Sequence, residues 1–277
     1  MARAGCGPAG AASLRSVREP DSQRLDDLKL ALQLADAADA VTTARFLDRT
    51  LRVDTKPDRT PVTEADLAAE AAMLALLSSE RPDDAILSEE AGVSGDSSRQ
   101  WVLDPIDGTK QFLRGLPSWA TLIALREADE TTVAVVSAPA LGRRWWATLG
   151  AGAFSDRGEQ LQVSGVGSLA DSMLVHAELS AWDSVGGPEP LLELARECWQ
   201  SRGYGDFWIH CLVAEGAADI AAEPGPSLWD LAAPALIVEE AGGQFSSLNG
   251  KQGPNHGSAL STNGLLHSSA LTVLAGS

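Results

Sequence analysis

One short segment combines side chains that could hold a metal ion. The apolar run Trp101–Leu103 leads directly into Asp104, and Asp107 follows three residues later. Pro105 fixes its own φ and favours an extended Asp104, so both carboxylates can converge on one point with the carbonyl of Ile106. Oxygen ligands of this kind suit a hard cation such as Mg²⁺.

The two residues that follow could bind a phosphate group. Gly108 and Thr109 offer backbone N–H groups where a helical turn could begin, and glycine allows a close approach. The same segment could instead be a surface turn, since Asp, Pro, Gly and Thr all favour turns. The apolar run before it favours a functional site, because sites in α/β folds concentrate at strand ends.

Three other acidic segments could add ligands, and each also has an ordinary structural explanation. Glu89 and Glu90 follow the apolar run 85–87, and adjacent glutamates commonly lie in a solvated loop. Asp66 and Asp230 each end a segment that fits a helix capping box. A capping role and a ligand role can coexist, because the carboxylate lies at a helix N-terminus in both.

Helices and strands would have to bring these segments together. Apolar spacing, caps and turn residues predict helices at 22–48, 63–79, 190–200, 207–216 and 228–241, and from 265 onward. Strands are predicted at 51–53, 85–87, 101–103, 120–125, 132–138, 145–149, 172–175, 219–222, 244–246 and 259–262, with a polar loop at 54–61. The pattern indicates an α/β or α+β fold whose middle strands form a meander.

Composition excludes several classes of protein. Of 277 residues, 44% are hydrophobic and 21% charged, which is typical of globular chains. The net charge of -17 argues against nucleic-acid or membrane partners, and no apolar run approaches the roughly 18 residues that span a bilayer. A small phosphorylated substrate would also be repelled unless metal cations reversed the local charge. Three cysteines (Cys6, Cys198, Cys211) without CxxC spacing favour a reducing cytoplasm.

The chain divides into a leader and one folded unit. Residues 1–20 contain no apolar stretch of a secretory signal and are expected to be a flexible leader; an Arg-rich transit segment is the alternative. Residues 21–277 are expected to form a single unit, with a soft subdivision near residue 165.

The acidic segments resemble, in order and spacing, the motifs of the inositol monophosphatase family. The resemblance covers roughly residues 25–275 and involves Thr63-Glu-Ala-Asp66, Ser88-Glu-Glu90, Asp104-Pro-Ile-Asp107-Gly-Thr109, Trp229-Asp230 and Glu239-Glu-Ala-Gly-Gly243. It implies a layered αβαβα sandwich of the inositol-monophosphatase and sugar-phosphatase type, and a homodimer. One departure is Ser88, where the family usually has glycine.

Further segments resemble the bacterial histidinol-phosphate phosphatases of that fold. These segments are Asp54-Thr-Lys-Pro-Asp58, Gly108-Thr-Lys-Gln-Phe112, Ser137-Ala-Pro-Ala140, Arg143-Arg-Trp-Trp146, Tyr204-Gly-Asp-Phe207 and Leu212-Val-Ala-Glu-Gly216. The resemblance implies a Mg²⁺-dependent phosphomonoesterase that hydrolyses L-histidinol phosphate in histidine biosynthesis. Alternatives are an inositol-1-phosphate, nucleotide 3′-phosphate or sugar-bisphosphate phosphatase, and a non-catalytic acidic protein that binds metal or phosphate.

The resemblance also implies a role for each acidic residue. Glu89, Asp104 and the Ile106 carbonyl would hold one Mg²⁺; Asp104, Asp107 and Asp230 would hold a second; Asp66 and Glu89 could hold a weaker third through water. The catalytic residues would be Asp66, Glu89 and Thr109, which would orient the attacking water, while the amides of Gly108 and Thr109 hold phosphate oxygens. No covalent phosphoenzyme is needed, and Cys198 and Cys211, both in predicted helices, are expected to be core residues.

Residues that select the substrate are harder to identify. The substrate-binding set implied by the resemblance is Glu89, Asp107, Gly108, Thr109, Arg202, Glu223 and Asp230. In it Glu223 would bind the ammonium group, Asp206 could assist, and Arg202 could meet the phosphate or cross a dimer interface; each could also be an ordinary surface charge. Lys56 and Lys110 could approach the phosphate, but solvated lysines are commoner. Trp119, Trp145 and Trp146 are expected to be core or interface residues in preference to a stacking platform. His176, His210, His256 and His267 match no ligand spacing and receive no role.

Overall fold

The computed structural model describes residues 22–56 and 60–276, and helices and strands occur throughout both ranges. The predicted leader with Cys6, and Pro57 and Asp58 of the predicted loop, lie outside the described residues. The helices are α1 (Ser22–Arg45), α2 (Glu64–Glu80), α3 (Thr109–Arg114), α4 (Glu189–Glu197), α5 (Asp206–Ala214), α6 (Leu228–Glu240) and α7 (His267–Leu274). The strands are β1 (Val53–Thr55), β2 (Pro61–Thr63), β3 (Ala85–Ser88), β4 (Gly92–Ser94), β5 (Arg99–Asp107), β6 (Ala120–Glu127), β7 (Glu130–Ala138), β8 (Arg143–Thr148), β9 (Gly152–Ser155), β10 (Met173–His176), β11 (Gln200–Gly203), β12 (Ile220–Pro224), β13 (Gln244–Ser246) and β14 (Ser258–Thr262).

The larger sheet has the strand order β4-β3-β5-β6-β7-β8-β9. Its strands from β5 to β9 form an antiparallel meander, as the sequence predicts, and β3 runs parallel to β5. Most of β5 is buried on both faces, from Trp101 to Asp107. A strand buried in this way needs an almost continuous apolar run, and β5 has one until its carboxylates begin.

The smaller sheet has the order β11-β10-β12-β14-β13 and mixed strand directions. Strand β10 runs parallel to both β11 and β12, whereas β14 is antiparallel to β12 and β13. All strands of this sheet lie after residue 172, and all strands of the larger sheet lie before residue 156. The two sheets are therefore built from successive parts of the chain.

Three apolar clusters join these elements into five layers. Leu34 of α1 and Met73 of α2 pack with Trp101 and Leu103 on one face of the larger sheet. Helices α5 and α6 fill the space between the two sheets, where Val102 and other residues of the larger sheet belong to the same core. Helices α4 and α7 cover the outer face of the smaller sheet. The predicted αβαβα sandwich is confirmed.

Most predicted elements lie within a few residues of their expected bounds, and the exceptions have physical reasons. The strand expected at 51–53 is β1, which forms a hairpin with β2 inside the stretch predicted to be a loop. The helix expected at 190–200 ends at Glu197, because the next residues pair with β10 as the edge strand β11. Strands β4 and β9 were not predicted; both are short edge strands.

The two cysteines of the described region differ in environment. Cys211 is buried in α5, as predicted. Cys198 follows α4 instead of lying within a helix, is half-buried, and its Sγ lies 3.3 Å from Ser172 Oγ. Among the helices of residues 22–56 and 60–276, none combines the length and the hydropathy that crossing a membrane requires.

Candidate active site

Three aspartates from two distant elements converge where β5 ends. One carboxylate oxygen from each of Asp104, Asp107 and Asp230 lies within 4.8 Å of the others. The pairing of β5 with β6 shifts register between Asp104 and Asp107, which is a local irregularity of the kind that redirects side chains at sites. Asp230 reaches the same point from the first turn of α6. The sequence prediction that these residues meet agrees with the geometry.

Backbone N–H groups donate hydrogen bonds to these three carboxylates. None of the salt bridges in the described part of the chain involves them. Ile106 N donates to Asp104 Oδ1 at 3.0 Å. Phe207 N donates to Asp107 Oδ2 at 2.7 Å, and Ser227 N donates to Asp230 Oδ2 at 2.6 Å. These bonds orient the side chains without neutralising their charge.

Burial and mutual repulsion make full ionisation of this cluster unfavourable. Burial and the charges of Glu89, Asp107 and Asp230 raise the pKa of Asp104 well above its ordinary value. Burial and neighbouring carboxylates likewise raise the pKa of Asp107 well above its ordinary value. Burial, with the charges of Glu89 and Glu223, raises the pKa of Asp230 to about 7. A buried all-oxygen donor set with this excess of negative charge fits a hard divalent cation.

Glu89 lies beside this trio and is paired with Lys56. Lys56 Nζ lies 2.7 Å from Glu89 Oε1 and 2.5 Å from Glu90 Oε1, and its side chain is only 17% exposed. Burial opposes a charged lysine, but the hydrogen bonds to Glu89 and Glu90 prevail and raise the pKa of Lys56. The expectation of a solvated Lys56 is therefore wrong. Lys110 is exposed as expected, and it pairs with Glu178 at 3.1 Å.

Asp66 both caps helix α2 and contacts another residue of the candidate site. Its Oδ2 accepts hydrogen bonds from Thr63 N at 2.9 Å and from Thr63 Oγ1 at 2.5 Å, which completes the capping box of α2. Its Oδ1 lies 3.3 Å from Thr109 Oγ1, and the same hydroxyl lies 3.1 Å from the Ile106 carbonyl. Burial raises the pKa of Asp66, as does the charge of Glu89. Asp66 and Thr109, to which the resemblance assigns the orientation of the attacking water, therefore lie within hydrogen-bond distance of each other.

Gly108 begins the short helix α3 in a conformation that suits glycine. Its φ is 84°, in the left-handed region, and a Cβ at this position would lie 3.0 Å from the Ser118 carbonyl. Phe112 N donates to Gly108 O at 3.0 Å, which closes the first turn. The predicted helical turn at Gly108 and Thr109 is thus confirmed, and a side chain at residue 108 would be excluded by both backbone angle and space.

A cavity of about 620 Å³ opens beside these groups. Glu89, Gly108 and Thr109 line one part of it, and Glu178 and Asp206 line another. Asp206 has a φ of 51°, an uncommon value for a residue other than glycine, and its carboxylate accepts a short hydrogen bond from Gln111 Nε2. Burial and the charge of Glu223 raise the pKa of Asp206 to about 7. The cavity therefore has acidic groups besides Glu89, and one of them, Asp206, lies close enough to Asp107 for its charge to raise the pKa of Asp107.

The remaining predicted substrate residues lie in different surroundings. Glu223 is buried in β12, and its charge raises the pKa values of Asp107, Asp206 and Asp230, so it lies near all three. Arg202 is exposed on β11, where its Nη1 donates to Ser201 O at 2.7 Å. Trp119 and Trp145 are fully buried, as expected of core residues.

Two residues near the site received no role from the sequence. Glu70 Oε1 accepts a short hydrogen bond from Ser88 Oγ and further bonds from the N–H groups of Glu90 and Ala91, so it supports the loop that carries Glu89. His210 Nε2 lies 2.7 Å from Glu223 Oε1. Helical spacing could have identified both, since Glu70 is four residues after Asp66 and His210 is four residues after Asp206.

Comparisons with known proteins agree with this geometry. The model of the inositol monophosphatase family matches residues 22–275. A histidinol-phosphatase of Streptomyces coelicolor is 53% identical over 258 residues, with 90% of this chain and 97% of that protein aligned. A histidinol-phosphatase of Mycobacterium tuberculosis is 54% identical, with 90% and 98% aligned. The structure of an inositol monophosphatase from Zymomonas mobilis superimposes with a TM-score of 0.82 at 31% identity, covering 92% of this chain and 99% of that one.

Proposed function

The chain belongs to the inositol monophosphatase family, and on that basis we propose that it is a Mg²⁺-dependent phosphatase that hydrolyses L-histidinol phosphate to L-histidinol and phosphate. The observation that carries the proposal is the convergence of Asp104, Asp107 and Asp230 without a cationic partner among the described salt bridges. The two histidinol-phosphatases that are 53% and 54% identical to it support this choice of substrate.

The carboxylates divide into sets that would hold two cations. Glu89, Asp104 and the Ile106 carbonyl would bind one Mg²⁺, and Asp104, Asp107 and Asp230 would bind another. Asp66 and Glu89 would take part in a weaker third site. When bound, the ions would act as Lewis acids that favour deprotonation of the attacking water and stabilise charge on the phosphoryl and leaving oxygens.

Thr109 and Asp66 would position the nucleophile. The Thr109 hydroxyl lies within hydrogen-bond distance of Asp66 Oδ1, so its proton can point at the carboxylate and its oxygen can accept a hydrogen bond from water. Because burial raises the pKa of Asp66, this carboxylate is a better proton acceptor than a solvated aspartate. Glu89 would help to orient the same water. No residue need become phosphorylated.

Further residues would hold the substrate. The N–H groups of Gly108 and Thr109 would donate to phosphate oxygens, since the backbone there turns into α3 with no side chain at residue 108. The carboxylates of Asp206 and Glu223 would attract the ammonium group of histidinol phosphate, which inositol phosphates lack. Asp107 and Asp230 would face the ester oxygen, and Arg202 would approach the phosphate or a second subunit.

A panel of phosphate esters tests the proposal directly. We expect Mg²⁺-dependent phosphate release from L-histidinol phosphate with a kcat/KM at least about 100-fold above those for inositol 1-phosphate, adenosine 3′,5′-bisphosphate and fructose 1,6-bisphosphate. A preference for one of the other esters would reassign the substrate. Binding without turnover of any ester would instead favour a non-catalytic metal- or phosphate-binding protein.

A substitution at Glu223 tests whether this carboxylate selects the substrate. Glu223→Gln keeps the shape of the side chain and removes its charge, so KM for histidinol phosphate should rise while turnover of inositol 1-phosphate changes little. An unchanged ratio of the two kcat/KM values would reject this role for Glu223.

We also propose that the protein acts in the cytoplasm as a homodimer. Sedimentation of the purified full chain would check the dimer.

A further inference from the structure

His210 is a buried histidine with two defined partners. It lies on α5, has no exposed surface, and its Nε2 is 2.7 Å from Glu223 Oε1. Its Nδ1 is 2.7 Å from the hydroxyl of Ser261 on β14. The ring also packs against Phe245, with 6.1 Å between the ring centroids. Three elements, β12, β13 and β14, therefore surround one imidazole.

The hydrogen bonds determine which ring nitrogen carries the proton. The Glu223 carboxylate can only accept, so Nε2 must carry a proton to bond with it. Nδ1 can then accept from the Ser261 hydroxyl, and the neutral ring satisfies both contacts. The Glu223 carboxylate thus selects the tautomer that donates from Nε2, and the Ser261 hydroxyl, which can donate or accept, holds the other edge of the ring.

The serine, histidine and carboxylate of this arrangement are the same residue types as the catalytic triad of serine hydrolases, but they cannot act as such a triad. Ser261 lies within β14 and has no exposed surface, so no ester can reach its oxygen. The acid end, in contrast, lies near the substrate cavity: Ala222, the neighbour of Glu223 in β12, pairs with His176 of β10, and His176 lines the cavity. The chain of hydrogen bonds therefore runs from the core towards the cavity.

We propose that His210 is a positioning residue that sets substrate specificity by holding the Glu223 carboxylate where it receives the ammonium group of the substrate. Glu223 lies among acidic side chains that repel it, and an N–H donor on one oxygen fixes its direction and leaves the other oxygen for the ligand. The inference rests on the proposed function, because it assigns to Glu223 the recognition of a cationic phosphate ester.

Two substitutions separate the contacts of His210. In His210→Gln, the amide nitrogen can occupy the place of Nε2 and still donate to Glu223. In His210→Asn, the amide reaches only the place of Nδ1, so the contact with Ser261 can persist while Glu223 loses its donor. Both variants replace the ring by an amide in the same core, so equal melting temperatures would show that their kinetics can be compared.

The measurements are kcat and KM for histidinol phosphate and for inositol 1-phosphate. For His210→Asn we expect KM for histidinol phosphate to rise roughly tenfold to hundredfold, with kcat changed less than about threefold and inositol 1-phosphate unaffected. His210→Gln should stay within about threefold of the wild type. In the double variant with Glu223→Gln, His210→Asn should add little, because its effect passes through the Glu223 charge.

Distinct results would overturn the inference and the proposed function. If the wild type prefers histidinol phosphate but His210→Asn leaves that preference unchanged, or impairs both substrates equally, the inference is wrong and the function stands. Fully additive effects of His210→Asn and Glu223→Gln would overturn it as well. If the wild type releases no phosphate from histidinol phosphate, the proposed function fails, and the inference with it. A slowly exchanging Nε2–H signal from His210, expected by NMR, tests the hydrogen bond itself; its absence would overturn the inference.

Discussion

The two ends of strand β5 bury carboxylates in opposite ways. At its beginning, Arg99 lies 3.1 Å from Asp27 and 3.1 Å from Asp84, and Arg81 approaches Asp27 at 3.0 Å. We call these four residues the arginine-paired end. At the other end of the strand, Asp104 and Asp107 meet Asp230, and backbone N–H groups are their hydrogen-bond donors. We call these three residues the acidic end.

This difference distinguishes carboxylates that stabilise the fold from carboxylates that we propose to bind metal ions. At the arginine-paired end, each carboxylate pairs with an arginine of the same chain. These ion pairs link α1, the end of α2 and the larger sheet. At the acidic end, burial and like charge raise the pKa values of Asp104 and Asp107, so its negative charge is offset by bound cations or by protons and not by basic side chains of the described salt bridges. A cluster that weakens the isolated fold in this way is expected where function requires it.

Replacing Asp104 with Asn should have the largest effect and should separate function from stability. Loss of a shared metal ligand should lower kcat by about 10³-fold or more. Removing one charge from the acidic end should raise the free energy of unfolding of the chelator-treated protein by about 1 kcal/mol, or about 2–4 °C in Tm. Phosphate release and thermal unfolding in EDTA measure the two effects. Near-normal turnover, or a lower Tm in EDTA, would contradict the contrast between the two ends.

Thr109 sharpens the contrast because it is an uncharged member of the site. Thr109→Val keeps the shape but removes the hydroxyl that meets Asp66, so kcat should fall about 100-fold. The Mg²⁺ concentration for half-maximal activity should change less than about threefold, since no metal ligand is lost. Thr109→Ser, which keeps the hydroxyl, is the matched control. If Thr109→Val acts mainly on the Mg²⁺ requirement, the site is only a cation cluster and Thr109 has no part in orienting water.

Asp27 tests the arginine-paired end. Asp27→Asn leaves Arg81 and Arg99 without their shared carboxylate, and the free energy of unfolding should fall by about 2 kcal/mol, because Asp27 is buried while both arginines remain partly exposed. Urea unfolding measures this effect, and kcat should not change. Asp26→Asn on the same helix is the control, since its bond to Lys29 is exposed and should contribute little. Loss of activity by a folded Asp27→Asn protein would show that the two ends are not independent.

The sequence predicted the acidic end better than the arginine-paired end. Asp104, Asp107 and Asp230 lie in short motifs whose local turns and caps dictate where the carboxylates point. Asp27, Arg81 and Arg99 belong to three separate elements with ordinary surface-like spacing, so only the packing of α1 and α2 on the sheet brings them together. Motifs record local geometry, whereas pairings across layers depend on the assembled fold.

The same distinction explains what was missed within the site. The order of apolar segments indicated an α/β or α+β fold, and the resemblance to the family implied the layered sandwich, but the short edge strands β4, β9 and β11 carry too little apolar pattern to be recognised. Lys56 was expected in solvent because lysines are most commonly solvated, yet the tertiary structure places it between Glu89 and Glu90. His210 received no role because its partners, Glu223 and Ser261, lie on strands β12 and β14, which only the assembled fold brings beside α5.

The smallest expected effect concerns the loop between β3 and β4, which carries Glu89. Ser88 closes β3 opposite Leu103 of β5, and its hydroxyl donates to the buried Glu70. Ser88→Gly, which introduces the residue usual in the family, removes this bond and should lower the free energy of unfolding by about 1 kcal/mol. Glu89 should then be less firmly placed, so the Mg²⁺ concentration for half-maximal activity should rise about twofold to threefold, with kcat at saturating Mg²⁺ unchanged.

Ser88→Ala separates the hydroxyl from the backbone, because alanine also lacks the hydroxyl but adds no backbone freedom. If the Glu70 bond holds the loop, the two variants should raise the Mg²⁺ requirement equally. A rise in Ser88→Gly alone would assign the effect to chain flexibility, and no rise in either would mean that the N–H groups of Glu90 and Ala91 suffice to anchor the loop on Glu70. In that last case the acidic end is positioned by backbone contacts throughout, in the same way that its three aspartates are, and the contrast with the side-chain pairs of the arginine-paired end becomes sharper.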